Sequence, residues 1–265
     1  MFAALAATLA VMLPGSCASV PGSDALWRDE VRFVFVGETH GTAETPAAFA
    51  GLTCQALAHG PVIVALEFPV SMQPVLDAAM VAPSDEAARA AILGWESGPF
   101  RFHDGRGSEA MLDLLLRLRA MRLAGRPLTV VASVPESPRV QGFGQSYAEL
   151  DRAAVWVAAA RSQPDARVVV LVGRVHAEKA RRVGSTIGLP AAAHIRPEES
   201  LSLTVAQQGG RAWVCREECG ETTLLAVDPL DLRGVVLTSD KGPAFDGMLA
   251  LGPMSASPPV SAERP

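Results

Sequence analysis

Tyrosine occurs once in this sequence, at Tyr147, and aromatic residues make up only 5% of it. Charged residues are also scarce, at 19% against roughly 25% in ordinary globular chains. No excess of positive charge exists: the net charge is −5, which gives no reason to expect nucleic acid, a partner that selects basic patches. The apolar run at 2–13 is too short to span a bilayer, which takes about 20 residues. No internal repeat of the solenoid kind is present. Only four cysteines occur, so the chain is no disulfide-dense scaffold.

What remains is a largely apolar chain. Its 265 residues are 49% hydrophobic, enough to bury a sizeable core in one large domain or two small ones. The run at 2–13 leads into Pro14, Gly15, Ser16 and Cys17. It has the length of a signal-peptide core with small residues at its exit, although no Lys or Arg precedes it. Gly15 and Ser16 before Cys17 also fit a lipoprotein signal with a lipidated Cys17. Cleavage after Ala18 is the alternative. Either reading makes 1–18 an export signal and sends the protein to the periplasm or to a lipid-anchored place on the membrane.

Export favours disulfides. Cys215 and Cys219 enclose a short loop, and no further Cys or His stands near them to complete a zinc knuckle. A Cys215–Cys219 disulfide is the expectation. Cys54 falls in an apolar helical stretch and reads as a buried thiol.

Four short apolar runs punctuate the first two thirds: 31–36 (VRFVFV), 61–66 (PVIVAL), 127–132 (PLTVVA) and 168–172 (VVVLV). They do not alternate, which suggests strands covered on both faces. Helical patterns separate them. Thr45-Pro46 starts one that runs to about Ala58. Ser108 caps another that ends at Gly125, with Met111, Leu114, Leu115, Leu118 and Met121 as core. A third covers 146–161, and a fourth begins at Ala177. Alternating strands and helices predict an α/β domain over 24–251, mainly a parallel sheet flanked by helices. After Pro190 shorter runs predict a mixed or antiparallel portion, on the same sheet. The Pro- and Ser-rich stretch 252–265 predicts a disordered tail.

In open parallel sheets, functional groups collect beyond the C-terminal strand ends. The first strand delivers Gly37-Glu38-Thr39-His40, the second Glu67, and the fourth Gly173-Arg174-Val175-His176. The motif G-x-x-H thus occurs twice, each glycine allowing a sharp turn. Two imidazoles and nearby carboxylates suit a divalent metal that activates water, with His40, Glu67 and His176 as ligands. They equally suit metal-free general-base chemistry. Each alone could be an ordinary strand-end residue; together they point to one site. Asp104 and Arg106 form a turn before the Ser108 cap. They read either as a holder for an anionic substrate group or as a surface ion pair. His103 is a weaker candidate, and His59 and His194 read as structural.

The segment GETHGTAE (37–44) resembles the opening motif of erythromycin-esterase-like proteins. The paired G-x-x-H turns resemble the wider group that joins those esterases with Tiki and TraB-type proteins and ChaN-like haem-uptake lipoproteins. RVVVLVGRVHAEKA (167–180) looks like the second histidine strand of the ChaN-like members. The resemblance covers 31–179. It marks Glu38, His40, Glu44, Glu67 and His176 as catalytic. It implies a hydrolase of an ester or amide small molecule, metal-assisted in the Tiki case. For the haem-uptake members it implies haem binding, with a tyrosine on iron and attachment to the membrane through Cys17. Tyr147 matches no such motif, and Arg174 departs from the small or amide residue of the related sequences, setting a cation near any dication.

Overall fold

The computed structural model describes residues 17–101, 104–136, 144–215 and 217–260. His103 and residues 1–16 of the expected export signal lie outside them.

The strands are β1 (Phe33–Glu38), β2 (Val62–Pro69), β3 (Leu128–Val134), β4 (Arg167–Gly173), β5 (Ser200–Val205), β6 (Arg211–Cys215), β7 (Cys219–Thr223), β8 (Gly234–Leu237) and β9 (Gly247–Ala250). The α-helices are α1 (Glu44–Ala56), α2 (Gln73–Met80), α3 (Asp85–Leu93), α4 (Glu109–Leu123) and α5 (Gly144–Ser162). One seven-stranded sheet runs β3-β2-β4-β1-β5-β9-β8. All its pairings are parallel except β8 with β9, which is antiparallel. The fold class is therefore the expected α/β, with a mixed C-terminal part. β6 and β7 do not join that sheet. They form a separate hairpin, closed by a Cys215–Cys219 disulfide.

The strands carry few polar residues because both faces are covered. Along β1, Val34 and Val36 pack into the core under α1 and α4, while Phe33 and Phe35 pack with Trp156 of α5 on the other face. Along β2 the same parity puts Val64 and Leu66 on the first face and Ile63 and Ala65 on the second. Glu67 continues the second set, so it faces the side where α5 lies. Ser108 caps α4 as expected, its side chain accepting from the Met111 N–H.

Four expectations are corrected. No helix begins at Ala177; a short 3-10 turn, Arg174–His176, is followed by irregular chain, because Gly184, Gly188 and Pro190 interrupt any helical run. The tail is not disordered over 252–260. It threads back along the loops after β1 and before α4, donating from the Ser257 N–H to the Gly41 carbonyl (2.8 Å) and accepting at Pro258 from the Glu109 N–H (3.0 Å). Its composition lacks periodicity but supplies backbone groups that two loops need. Cys54 is not a free thiol, since it forms a disulfide with Cys17. That also removes the lipidated Cys17: one sulfur cannot carry both a disulfide and a lipid thioether.

Candidate active site

β2, β4 and β1 lie side by side, and their C-terminal ends bring Glu67, Gly173 and Glu38 to one place. Glu67 is the centre. Its Oε2 accepts the Gly173 N–H at 2.6 Å and lies 3.5 Å from His40 Nε2. Its Oε1 lies 3.6 Å from His176 Nε2 and 3.4 Å from Arg152 Nη1. Two imidazoles thus face one carboxylate from opposite sides. Each is backed by a second carboxylate. His40 Nδ1 is hydrogen-bonded to Glu38 Oε1 at 3.0 Å, and His176 Nδ1 lies 2.7 Å from Glu149 Oε1. Glu149 in turn accepts the Ala191 N–H at 2.9 Å.

Glycine matters here for closeness rather than for turning. Gly37 and Gly173 lie within β1 and β4, not in turns. A Cβ on Gly173 would sit 3.1 Å from His40 Nε2 and 3.4 Å from Glu67 Oε2, in the middle of the site. The residue that turns the chain is Gly41, with φ +79°, and a Cβ there would meet the Trp213 carbonyl oxygen at 2.0 Å. The hairpin β6–β7 is hooked onto this point by the Trp213 N–H donating to the Gly41 carbonyl at 2.9 Å. It makes one wall of the cleft.

The charges set the protonation of the centre. Burial works against a charged His40, but hydrogen bonds and attraction from Glu38 and Glu67 prevail and push its pKa up to about 10. Burial likewise opposes ionised Glu67, and the hydrogen bond and charge of His40, with the charge of Arg152, overcome it, holding the carboxyl well below its usual range. At neutral pH His40 is therefore an imidazolium and Glu67 a carboxylate. Asp104 pins Arg106 by two hydrogen bonds to Oδ2, at 2.7 and 3.1 Å, and both line the same cleft of about 500 Å³. Arg174 also lines it, with its guanidinium 5.5 Å from the Phe245 ring.

Of the residues marked in the sequence, the structure gathers Glu38, His40, Glu67 and His176, with Asp104 and Arg106 at the rim. Glu44 stands apart: its carboxylate accepts the Ser255 N–H at 2.9 Å at the start of α1. Sequence reasoning missed Glu149 and Arg152, both buried on α5. Their signal was phase. With Ala153, Trp156 and Ala160 they follow one helical stripe, so two charged residues share the apolar face. A charge on that face needs a buried partner.

A divalent metal fits these donors poorly. Among the described residues, no group of three or more His, Cys, Asp and Glu side chains is arranged to hold one. The carboxylate that would bridge the imidazoles is already held by a buried guanidinium. A haem fits no better, because the cleft presents charged groups where a macrocycle wants apolar walls, and Tyr147 is 55% exposed and does not line the cleft.

No family model matches the chain, and no curated protein matches it. Solved structures do. The erythromycin esterase EreC, in a mutant's open conformation, has a TM-score of 0.64 at 13% identity, over 88% of this chain and 93% of that one. A succinoglycan biosynthesis protein has 0.61 at 8% identity, over 87% and 90%. A protein from Bacillus cereus has 0.58 at 12% identity, over 88% and 91%. At these identities what the chain shares with them is the fold, which is the one the sequence resemblance implies.

Proposed function

We propose that the protein is a metal-free hydrolase of an ester or amide, working by acid–base catalysis between two histidines. The observation that carries this is the pair of imidazoles facing Glu67 from two sides, each with its Nδ1 against another carboxylate. The esterase name of one fold neighbour supports the reaction class.

The charge pattern divides the roles. His40, protonated at neutral pH, offers an Nε2–H to the carbonyl oxygen on which negative charge develops. The base is then His176. Glu149, an acceptor for a backbone N–H, stands 2.7 Å from His176 Nδ1, and its negative charge favours the tautomer with the proton there, which leaves the Nε2 lone pair to the cleft. His176 takes a proton from water as the water oxygen bonds to the acyl carbon. The tetrahedral adduct collapses, the bond to the leaving oxygen or nitrogen breaks, and His176 returns the proton to it. Glu67 orients the His40 ring, and Arg152 keeps Glu67 ionised. Arg106 and Arg174 at the rim suit an anionic group on the substrate.

Export to an oxidising compartment belongs to the same reading, and the disulfides Cys17–Cys54 and Cys215–Cys219 support it. The test is a panel of ester, lactone and amide substrates at pH 7.5, with and without a chelator, for the wild type, His40→Ala and His176→Ala. Turnover that survives the chelator and disappears in both variants, with circular dichroism unchanged, is the expected result. Full turnover in both variants sinks the site; loss with the chelator sinks the metal-free mechanism.

A further inference from the structure

A second cavity, of about 320 Å³, lies against the catalytic cleft on the other side of the hairpin. Thr39, Val214 and Cys215 belong to the walls of both. Thr39 stands between Glu38 and His40, so the wall that the two spaces share lies within one residue of the reacting groups.

Their chemistry differs sharply. The cleft is lined by Glu38, His40, Asp104, Arg106, Arg174 and His176. Among the described residues the second cavity is lined by none that is ionised. Its aliphatic walls come from Val205, Leu224 and Met254, its hydroxyls from threonines such as Thr42 and Thr222, and its amide-bearing edge from Gln207 and Gln208. The Gln208 side chain is itself bound to the Pro229 and Leu232 carbonyls and the Gly252 N–H. Thr42 donates to Thr45 Oγ1 at 2.9 Å, so that pair is internally satisfied and leaves the floor of the cavity weakly polar. Leu225, at its rim, is 76% exposed, a large apolar side chain with no packing role in the fold. Small-molecule sites are mostly apolar with a few placed polar groups and span roughly 300–1,000 Å³.

From this we infer that the cavity is a second subsite, which holds an uncharged, mainly aliphatic arm of the substrate. This rests on the hydrolase reading: the scissile carbonyl lies at His40 and His176, and the neutral arm passes Thr39 and Val214 to reach the hydroxyl-lined space. The substrate is therefore bipartite, polar at the cleft and aliphatic beyond the hairpin. The shared wall selects this occupant, since a substrate seated at His40 and His176 that extends over Thr39 and Val214 comes next to this cavity.

Two measurements test it. The first is binding of hexyl β-D-glucoside, an uncharged probe with an aliphatic chain, followed by isothermal calorimetry in the wild type, His40→Ala and Leu225→Asp. The exposed position of Leu225 makes Leu225→Asp harmless to the fold. Affinity about tenfold weaker in Leu225→Asp and retained in His40→Ala is expected, the size of effect a few methylenes have in an apolar pocket. The second is the ratio of kcat/KM for 4-nitrophenyl hexanoate over 4-nitrophenyl acetate, expected to fall about tenfold in Leu225→Asp. A ratio or a glucoside affinity that ignores Leu225 overturns the subsite and leaves the hydrolase reading standing. Glucoside binding that depends on Leu225, in a protein that turns over no ester, keeps the cavity as a ligand site and sinks the hydrolase reading instead.

Discussion

The candidate site has two halves that look alike and are built differently. In one, the β1 end brings His40 and its carboxylate, Glu38, from positions two apart in the chain, joined by a 3.0 Å hydrogen bond. In the other, His176 comes from the turn after β4, and its carboxylate, Glu149, from α5. Only the first imidazole has an in-line hydrogen bond to its carboxylate. His40 therefore carries a raised pKa of about 10 and behaves as a fixed cation. The lesson is that matched carboxylate–imidazole pairs need not be matched in charge: the one bonded locally is locked into its charge, and the one assembled from a distance is not held by such a bond.

Glu67 is common to both halves, so its removal breaks the comparison altogether. Glu67→Ala leaves His40 and Arg152 facing each other with no carboxylate between them. Taking one partner from a buried ion pair costs about 3–5 kcal/mol. Activity should fall by about 10³-fold or more, since the acid loses its orientation. Urea unfolding and a turnover assay check the two losses. A stable, active Glu67→Ala protein means the halves do not share this centre.

Gly173→Ala tests closeness without touching charge. Gly173 has φ −54°, so alanine is tolerated by the backbone, but its Cβ would crowd His40 Nε2 at 3.1 Å. The expected outcome is about a 10²-fold loss of kcat/KM, since small displacements of reacting groups cost that much, with a melting temperature near that of the wild type. The pH profile should keep its alkaline limb, because both carboxylates of His40 remain.

Glu38→Gln and Glu149→Gln sharpen the comparison. Glu38→Gln removes one of the two groups that raise His40, so the alkaline limb of kcat/KM should move down from about pH 10 towards 6.5. Glu149→Gln should lower kcat about 10–100-fold and leave that limb in place, because it acts on the base and not on the cation. Profiles from pH 6 to 11 separate the two outcomes. If both variants shift the same limb equally, the division of roles is wrong.

The first half was open to reading and the second was not, for a physical reason. Glu38 and His40 announce themselves through local spacing at the end of an apolar run. Glu149 stands well before His176 in the chain, and Arg152 follows Glu67 only after α2, α3, α4 and β3; their only mark is helical phase with Ala153 and Trp156. The first four strands were legible because burial on both faces, full in β1, β2 and β4 and partial in the edge strand β3, leaves uninterrupted apolar runs. The place of β6–β7 off the main sheet was not, since a hairpin with half-exposed strands reads like any other. Nor was the packing of 252–260, which depends on backbone hydrogen bonds to the Gly41 and Gly107 carbonyls rather than on side-chain pattern. Cys54 read as a lone apolar residue because its partner, Cys17, lay in a segment that the sequence assigned to export.

The last effect expected is on stability, and its sign follows from the same two groups. His40 titrates at about 10 in the folded protein and near 6.5 when unfolded, so the folded state binds more protons between those values. Its contribution is fully present below pH 6.5 and is lost as the pH rises through 10. Glu67 is displaced the other way. Its contribution is present above its ordinary value of 4.5 and is lost as the pH falls through its lowered folded pKa. Stability should therefore peak between about pH 4.5 and 6.5 and decline on the alkaline side. Unfolding by urea at pH 6 and pH 9 reads that decline directly. Glu38→Gln should flatten it, because His40 then titrates closer to its unfolded value, whereas Glu149→Gln should leave the slope unchanged. A slope that follows Glu149 in place of Glu38 would mean that the fixed cation is His176, and the acid and base of the proposed mechanism would exchange places.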